Sequence, residues 1–368
     1  MTQQNTPSQA ETGTTSTHAP IRWLVVGTGI IAGDFARGLR GVSHGRVACV
    51  VGSRPGRAED FAAKWALDEI ECTDAIEQAL SGDSVDAVYI ATPHPSHEAM
   101  ALASIRAGKA TLVEKPIAMD WASASRIVNA AREQGTFLME AYMYRCHPLI
   151  TRLIALLKEG AIGQIQRIES RLCFEAPFDP GNRLFNPTLG GGAILDVGGY
   201  PLSMAGLVAG CAEGIPYAHP KTINASGVLG QTGVEEDARA ELVYDSGVVA
   251  NLRCSIREEA GNATRIVGDA GSLVLPNAWL PDGDRHGRVS TIILKRDGHP
   301  KEEIETVAPA AVYALEAELV AEALAEGDTL EPIYPALNLA GTLSNMQLLD
   351  AWRELVADGG GKRTLDLS

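Results

Sequence analysis

Three side chains that can move or stabilise a proton stand out in the sequence. Lys115 lies in "LVEKPIAMD", where an apolar, strand-like run gives way to the start of a helix. Asp196 and Tyr200 lie in "LGGGAILDVGGYP", a glycine-rich loop followed by a helix start, which places them one turn apart on one face. The alternatives are a charged surface turn at Lys115 and a glycine hinge with a structural tyrosine at Tyr200.

A lysine and a tyrosine together suit proton transfer to or from an alcohol. The reference pKa of a phenol is about 10 and that of a lysine about 10.4, so neither is a good base alone at neutral pH. An adjacent ammonium favours phenolate, and partial burial disfavours the charge on lysine. We therefore expect Tyr200 to act as the acid and base, with Lys115 as its electrostatic partner and Asp196 orienting the substrate or Lys115. No ligand set for a metal is predicted.

The elements that would position these groups begin with "IRWLVVGTGIIAGDFARGL". The apolar run Ile21 to Val26 predicts a strand, and a helical pattern follows the GxGxxA formed by Gly27, Gly29 and Ala32. Gly27 permits a tight turn, Gly29 lets the backbone approach a pyrophosphate, and Ala32 permits close packing of the helix on the strand. A glycine turn without a ligand is the alternative, but the position between a strand and a helix favours a dinucleotide site.

The end of the second predicted strand bears on the choice of dinucleotide. An NAD site usually has an acidic residue here, hydrogen-bonded to the adenine ribose. This chain has Ser53 and Arg54 instead, and a guanidinium forms charge-assisted bonds to phosphate oxygens. NADP is therefore favoured, although Arg54 could instead stack on adenine and leave NAD possible.

Strands and helices alternate through the first half of the chain. "VDAVYIATP" and "ATLVEKP" read as strands, the first ending at Thr92 and Pro93, and Asp120 caps a helix that stops at Gly135. Such alternation predicts a parallel, doubly wound α/β sheet. Lys115 would then lie at the carboxyl edge of a central strand, where these sheets bind their ligands.

Length and composition set limits on the whole molecule. A chain of 368 residues suggests two domains, here 21–147 and 148–368, and residues 1–20 read as a disordered tail without signal-peptide features. A net charge of −15 disfavours nucleic acid or an anionic membrane as partner. Six scattered cysteines and the absence of an unbroken apolar span predict a cytoplasmic protein.

The second half changes character. Runs with strand propensity at 164–175, 222–230, 237–257, 263–275 and 289–296 predict a large, open-faced, mainly antiparallel sheet. Its exposed face would be an apolar patch, which favours oligomerisation. Helices are predicted near 148–159, over 313–327 and over 336–356; the last could pack back on the first domain. On the helix over 313–327 we expect a solvated acidic face at Glu316, Glu318 and Glu322.

At these residues the chain resembles the glucose–fructose oxidoreductase/inositol dehydrogenase (Gfo/Idh/MocA) family. The resemblance rests on "GTGIIA", "ATPHPSH", "VEKP", "EAYMYRCHP", "GQIQRIES", "FDPGNRLFNPTLGGGAILDVGGYPLSMA" and "VGDAGSLVLPNAW", in that order. Many members place a histidine four residues after the aspartate, where this chain has Tyr200. In this it is similar to the branch of glucose–fructose oxidoreductase and the dimeric dihydrodiol dehydrogenases.

The resemblance implies an N-terminal Rossmann domain, an open-faced substrate domain that forms a homodimer or homotetramer, and a bound NAD or NADP. It also implies that His97 lies near the nicotinamide ribose, unless it or Ser96 caps a helix. Arg145 and His147 could face the site or be structural. The residues assigned to the cofactor are Gly27, Thr28, Gly29, Ile30, Ile31, Ser53, Arg54, Thr92, Pro93, His97, Glu114, Lys115 and Arg183. Those assigned to the substrate are Lys115, Tyr142, Arg145, Arg183, Asp196 and Tyr200.

The function expected is hydride transfer between nicotinamide and a carbinol of a sugar, polyol or related diol. One alternative is a glycosidase that uses bound NAD as a transient redox catalyst, with Arg145 and Arg183 holding an anionic sugar. A minor alternative is a non-enzymatic, cofactor-sensing regulator. Loops around 142–147, 174–190 and 276–286 would shape the pocket and decide the substrate.

Overall fold

The first sheet is parallel throughout. A computed structural model describes residues 19–327 and 330–365, so the tail predicted over 1–20 lies outside the described residues except for its last two. The six strands follow the order β3-β2-β1-β4-β5-β6. This is the doubly wound order in which dinucleotides bind at the central switch point, between β1 and β4.

The elements of the first half follow the predicted alternation. The strands are β1 Ile21–Val26, β2 Gly45–Val51, β3 Glu71–Thr73, β4 Ala87–Ile90, β5 Ala110–Glu114 and β6 Leu138–Ala141. The helices are α1 Ile30–Leu39, α2 Arg57–Lys64, α3 Ile76–Leu80, α4 His97–Arg106 and α5 Trp121–Gln134. The carboxylate of Asp120 accepts from the N–H of Ser123 at 2.7 Å and starts α5, and Gly135 ends it with φ 64°. Both predicted helix signals are confirmed.

The second sheet has nine strands in the order β14-β13-β12-β11-β7-β10-β9-β8-β15. Only β7 and β10 pair in parallel. The strands are β7 Ile165–Cys173, β8 Thr222–Leu229, β9 Glu235–Val243, β10 Val249–Ser255, β11 Thr264–Gly268, β12 Gly271–Leu275, β13 Val289–Arg296, β14 Glu302–Val307 and β15 Gly361–Thr364. The mainly antiparallel α/β prediction is confirmed, and the two longest predicted runs are hairpins.

Four helices join the two sheets into one continuous buried core. They are α6 Pro148–Lys158, α7 Gly199–Glu213, α8 Val312–Glu326 and α9 Leu339–Ala357. A π-helical segment, Ile194–Gly198, leads directly into α7. α9 packs on α5, where the carboxylate of Asp350 accepts from the N–H of Trp121 at 2.7 Å. The C-terminal helix therefore reaches back to the first sheet.

Within the part of the chain that the structure describes, one helical stretch is long and apolar enough to be compared with a membrane span. It runs over Pro187–Glu213, and 94% of its most apolar window is buried inside the protein. Such burial is that of a core helix, which is hydrophobic all round because neighbouring elements surround it.

The expectation of a solvated acidic face on α8 is wrong at Glu316. Its side chain is 0% exposed, and neither carboxylate oxygen has a hydrogen-bond partner among the described residues. α8 packs against both α1 and the turn at Met143–Cys146, so this face of the helix is covered as well. Burial, together with the neighbouring Glu114, raises the pKa of Glu316 well above the usual carboxyl range.

The open face of the second sheet is also not the apolar patch expected from the sequence. It forms a shallow groove of about 790 Å³ whose lining is polar and apolar in about equal measure. The outward-facing polar side chains along it are Glu169, Arg171, Asn224, Ser226, Arg239, Glu241, Asn251, Arg253 and Arg265. Alternation along each strand places these groups outward, whereas Ser170 is buried and hydrogen-bonds to Thr264. Any association through this face would therefore include polar as well as apolar contacts.

Candidate active site

The turn between β1 and α1 has the shape that a pyrophosphate requires. Gly27 has φ 107°, and a Cβ there would lie 2.5 Å from the carbonyl oxygen of Ala91, so only glycine fits. At Gly29 an added Cβ would meet nothing within 4 Å, which leaves open space before the helix. None of the described side chains caps the first turn of α1, so its N–H groups remain available to an anion. Thr28 and Ile31 flank this space half-buried, and Ile30 is exposed.

Ser53 and Arg54 follow β2 at the same edge of the sheet. Both are exposed, and Arg54 takes part in none of the ion pairs between described residues. The first carboxylates after the strand, Glu59 and Asp60, lie in the first turn of α2. The geometry therefore leaves a free cation where the adenine ribose of a dinucleotide would lie.

Lys115 connects the two halves of the molecule. Its Nζ donates to the backbone carbonyl of Asp196 at 2.7 Å and lies 3.8 Å from the Oδ1 of the same residue. It also lies 5.2 Å from the centre of the Tyr200 ring, over its face. The side chain is only 14% exposed. The three residues singled out for chemistry therefore converge, and the surface-turn interpretation of Lys115 is wrong.

Asp196 is the charged centre of this cluster. Its side chain is 6% exposed, and its Oδ1 accepts from the guanidinium of Arg183 at 2.8 Å. Burial alone would raise the pKa of Asp196, but the charges of Lys115 and Arg183 hold it below the usual carboxyl range. Asp196 is therefore a carboxylate that aligns two cations, and half of the Arg183 side chain remains exposed.

Tyr200 is surrounded by aromatic rings rather than by charges at its hydroxyl. Its Oη donates to the sulfur of Met143 at 3.3 Å, and Tyr142, Tyr144 and Trp279 lie with ring centres within 6.0 Å. Burial, with nearby acidic groups, raises the pKa of Tyr200 well above the usual phenol range. The hypothesis that Lys115 favours a phenolate is not supported by this arrangement. A phenol of raised pKa stays protonated at neutral pH, so its hydroxyl is available as a donor, although it is a weaker acid than a free phenol.

His97 holds together the ends of two neighbouring strands. Its ring is 0% exposed, with Nδ1 2.9 Å from the carbonyl oxygen of Pro116 and Nε2 2.9 Å from that of Thr92. Burial lowers the pKa of His97, and a neutral ring donates to one of these two carbonyls. Ser96 occupies the N-cap position of α4, but neither its side chain nor that of His97 makes a capping hydrogen bond, so the capping alternative is wrong. His97 fixes the position of the turn that carries Lys115, with Thr92 half-buried and Pro93 exposed beside it.

Glu114 faces away from Lys115 into the protein. Its Oε1 accepts from the hydroxyl of Tyr89 at 2.6 Å, and its Oε2 accepts from the N–H of Lys115 at 3.3 Å. Burial raises the pKa of Glu114, while the charge of Lys115 opposes that shift. The carboxyl group of Glu114 therefore holds the backbone of Lys115 in place.

Two residues assigned to the substrate lie inside the protein. Arg145 is 1% exposed, and its guanidinium donates to the carbonyl oxygens of Pro335 at 2.7 Å and Ser203 at 3.1 Å. Tyr142 is equally buried, and its hydroxyl accepts from the side-chain amide of Asn345 at 2.8 Å. The structure does not bring Arg145 to the cluster, and it places Tyr142 behind Tyr200. His147 is structural too, because its ring caps α6.

His94 and Trp279 are candidate site residues that the sequence analysis did not select. His94 is 8% exposed, and its Nδ1 has no hydrogen-bond partner among the described residues. Burial, with His97 and Lys115 next to it, lowers the pKa of His94 to about 3. The close spacing of the two histidines was the available signal for His94. Trp279 ends the motif "VGDAGSLVLPNAW" and lies in the loop around 276–286 that was expected to shape the pocket, but no signal singled out this residue.

The sequence models of one family cover both halves of the chain. The model described as an oxidoreductase family with an NAD-binding Rossmann fold, Gfo/Idh/MocA, matches residues 21–142. The model of the Gfo/Idh/MocA C-terminal domain matches residues 150–274. Together they include every residue of the Lys115, Asp196, Tyr200 and His94 cluster.

Curated relatives and solved structures extend this finding. Trans-1,2-dihydrobenzene-1,2-diol dehydrogenase of Mus musculus is 32% identical over 263 residues, which cover 71% of this chain and 76% of the relative. The same enzyme of Oryctolagus cuniculus is 33% identical, covering 70% and 76%.

Among solved structures, the 3-ketoreductase KijD10 of Actinomadura kijaniata, in complex with NADP and TDP-benzene, is similar with a TM-score of 0.76 and 27% identity, covering 92% of this chain and 98% of that one. Aldose–aldose oxidoreductase of Caulobacter crescentus shares the fold with a TM-score of 0.81 at 21% identity, covering 94% and 100%.

Proposed function

The chain belongs to the Gfo/Idh/MocA family and is an NAD(P)-dependent oxidoreductase acting on CH–OH groups, and from that premise we propose its substrate class and the roles of its residues. The substrate is a sugar, polyol or related diol with a secondary carbinol. Lys115 and Tyr200 assist proton transfer at the oxygen of that carbinol. The observation that carries this proposal is the convergence of Lys115, Asp196 and Tyr200, with Lys115 following β5 at the same edge of the first sheet as the glycine turn after β1.

The roles follow from the protonation states that the site favours. A nicotinamide dinucleotide supplies the hydride donor or acceptor. In the direction of ketone reduction, Lys115 Nζ stabilises the negative charge that develops on the substrate oxygen, and Tyr200 Oη gives that oxygen its proton. In the direction of alcohol oxidation Tyr200 must first release its own proton to solvent, a step that its raised pKa disfavours, before its phenolate can take the proton of the alcohol. Asp196 keeps Lys115 and Arg183 aligned on the substrate side of the cleft.

NADP is the proposed form of the cofactor. The free, exposed Arg54 after β2 and the lack of a carboxylate at that strand end support a 2′-phosphate. KijD10, which has a similar fold, is described in complex with NADP. If Arg54 instead stacks on adenine, NAD binds comparably well, and the ratio of the two dissociation constants decides between these cases.

The names of the relatives support diols and keto sugars as substrates. The mouse and rabbit relatives are diol dehydrogenases, and KijD10 is a 3-ketoreductase. The rings of Trp279, Tyr144 and Tyr200 pack against one another and are almost fully buried, so they support the site from behind. The open half of Arg183 could hold a hydroxyl or an anionic group.

The redox-assisted glycosidase remains the second candidate, because it needs the same lysine, tyrosine and cofactor. The structure argues against a glycosidase for anionic sugars that relies on Arg145, because the Arg145 guanidinium already donates to two buried carbonyl oxygens.

The assignment of 21–147 to dinucleotide binding and 148–368 to substrate binding and assembly belongs to the same proposal. So do a homodimer or homotetramer through the open face and a cytoplasmic location, which six unpaired cysteines support.

One plate of assays tests the proposal. Purified protein receives NAD or NADP, crossed with free sugars, diols and chromogenic glycosides, including anionic ones, and the Lys115→Met variant serves as the blank. Reduced nicotinamide and released aglycone are both recorded. Net nicotinamide reduction with a sugar or diol establishes the dehydrogenase and its cofactor. Aglycone release that depends on the dinucleotide without net reduction would establish the glycosidase instead.

A further inference from the structure

A loop of the second half lies against the helix that starts the dinucleotide site. The guanidinium of Arg285 donates to Oδ2 of Asp34 at 3.3 Å, and Nε2 of His286 lies 3.4 Å from Oδ1. Asp34 belongs to α1, little more than one turn beyond Gly29. The loop therefore sits over the first turns of the helix at which the pyrophosphate of a dinucleotide would bind.

Asp34 creates an electrostatic problem at this place. Its side chain is 6% exposed, so solvent screens its charge poorly. A carboxylate this close to the glycine turn repels a pyrophosphate and opposes the helix dipole that would attract it. Arg285 is the cationic side chain that meets this carboxylate in the described part of the chain, and the ring of His286 lies beside it. Compensating the charge of Asp34 would therefore favour an anion at this turn.

The hydrogen bond to Asp34 leaves other N–H donors of the Arg285 guanidinium available. A guanidinium carries several N–H groups in a planar fork, and one of them makes the long contact with Asp34. The side chain is 45% exposed, so the rest of the fork faces the cleft or solvent. This is the arrangement that lets an arginine bind phosphate oxygens while a carboxylate holds it in place.

The loop presents Arg285 on a rigid turn. The N–H of Gly287 donates to the carbonyl of Asp284 at 3.1 Å, and Oδ1 of Asp284 accepts from the N–H of His286 at 2.7 Å. A Cβ at Gly287 would lie 2.1 Å from the carbonyl oxygen of Pro281, so the turn closes tightly on itself. The same loop carries Trp279, which packs against the ring of Tyr200. It thus joins the proposed catalytic residues to α1.

The first half of the chain offers the middle of the dinucleotide no cation. From Gly27 to Ala36 the sequence "GTGIIAGDFA" contains no lysine or arginine. Arg54 serves the adenosine end of the cleft, and Lys115 serves the nicotinamide end. With a chain charge of −15, an arginine supplied from elsewhere is what charge complementarity requires at the pyrophosphate.

We propose that Arg285 is a dinucleotide-binding residue contributed by the second half of the chain, which contacts the pyrophosphate while Asp34 positions its guanidinium. The proposal rests on the proposed function and adds to it a binding residue that the glycine motif does not reveal. It gives the loop around 276–286 a role in holding the cofactor as well as the substrate.

The test measures binding rather than turnover. Dissociation constants of the full-length protein are determined by calorimetry for NADP, ADP-ribose and AMP, because AMP lacks the pyrophosphate bridge. Arg285→Ala is expected to weaken NADP and ADP-ribose about tenfold to a hundredfold, the usual range for losing a hydrogen bond to a charged group, and AMP less than about threefold. The double variant Arg285→Ala with Asp34→Asn recovers part of the loss, because the repelling carboxylate is gone.

Two controls separate this effect from folding and from net charge. Arg152→Ala removes an exposed arginine of α6 and is expected to leave all three dissociation constants unchanged. Arg285→Lys keeps a positive charge and is measured if the alanine variant fails to fold; it should lose less affinity than tenfold for ADP-ribose. Ligand-free melting temperatures identify any variant that is misfolded.

The outcomes distinguish the two levels of the proposal. Wild-type affinity of Arg285→Ala for ADP-ribose overturns the role of Arg285 and leaves the proposed function intact. An equal loss for AMP and ADP-ribose, or no recovery in the double variant, also overturns it. A wild-type protein that binds no dinucleotide overturns the proposed function, and the role of Arg285 falls with it.

Discussion

Two regions of the protein contain many charged side chains, and they differ in how deeply those side chains are buried. In the cluster of Lys115, Asp196 and Arg183, the first two side chains are 14% and 6% exposed. On the open face of the nine-stranded sheet, Arg167 and Glu169 also lie 2.9 Å apart, yet they are 48% and 42% exposed. Distance alone does not separate these two regions, but burial does.

The difference shows where charge can do chemistry. Exposed ion pairs are screened by water and salt, and most contribute little to stability. A buried carboxylate flanked by two cations acts in a medium of lower polarity, so it fixes positions and protonation states. The cluster also has donors directed at open space, whereas the charges on the sheet satisfy one another.

The largest effect on activity is expected from removing the hydroxyl of Tyr200. Tyr200→Phe is expected to lower kcat roughly 10²- to 10⁴-fold, because it removes the proposed proton donor. Steady-state kinetics with the best substrate of the assay plate measures it. Tyr244→Phe is the matched control, since that buried hydroxyl has no partner among the described residues and should cost no activity. A loss below about tenfold at unchanged stability would remove Tyr200 from this role.

The charge of Lys115 comes next. Lys115→Met keeps the length of the side chain but removes the ammonium, and we expect kcat to fall roughly 10²- to 10³-fold through lost stabilisation of the substrate oxygen. Lys109→Met, at the other end of the same strand, serves as the control. A Lys115→Met enzyme with near wild-type kcat would mean that the cluster is merely structural.

The burial of His94 next to the cluster should make the free energy of unfolding depend on pH. Its pKa of about 3 lies below that of a free imidazole, so the unfolded chain takes up the proton first and stability falls as the pH drops. Between pH 7 and pH 5 this one group should cost about 2 kcal/mol. The His94→Asn variant should therefore lose about 2 kcal/mol less than wild type over that interval, as followed by urea denaturation. Identical pH dependence of the two proteins would contradict the assignment.

The smallest effect is expected on the open face of the sheet. Glu169 lies near Arg167 and Arg265, both of them exposed. Glu169→Gln should change the free energy of unfolding by less than about 1 kcal/mol and leave kcat unchanged. Sedimentation of both proteins completes the comparison. A much larger destabilisation, with a shift toward monomer, would show that an assembly buries this face.

Much of the first half could be predicted because its signals are local. The glycine turn, the Asp120 cap and the strand before Lys115 depend on neighbouring residues, and the structure has each in the expected place. The meeting of Lys115 with Asp196 was expected only through the family resemblance, since no local pattern specifies a contact between residues so far apart in sequence.

The errors share a different cause. Glu316 and Arg145 look like surface residues by type, yet packing from distant elements buries both. The protonation of Tyr200 depends on rings and carboxyl groups from at least four separate segments, around 114, 196, 279 and 313–316. β14 and β15 were missed because they are short and largely exposed edge strands, without an apolar pattern. Tertiary burial is the information that a single sequence lacks.

In the π-helical segment Ile194–Gly198, the number of residues matters for the geometry of the site. Pro201, five residues after Asp196, has no N–H, so the donor that a π-helix would direct at the Asp196 carbonyl is missing, and Lys115 takes that place. Such a wide turn amounts to one inserted residue in an otherwise regular helix. Deleting one residue here would turn everything after it by about 100° relative to Asp196. Lineages of this protein should therefore accept no change in the length of this segment.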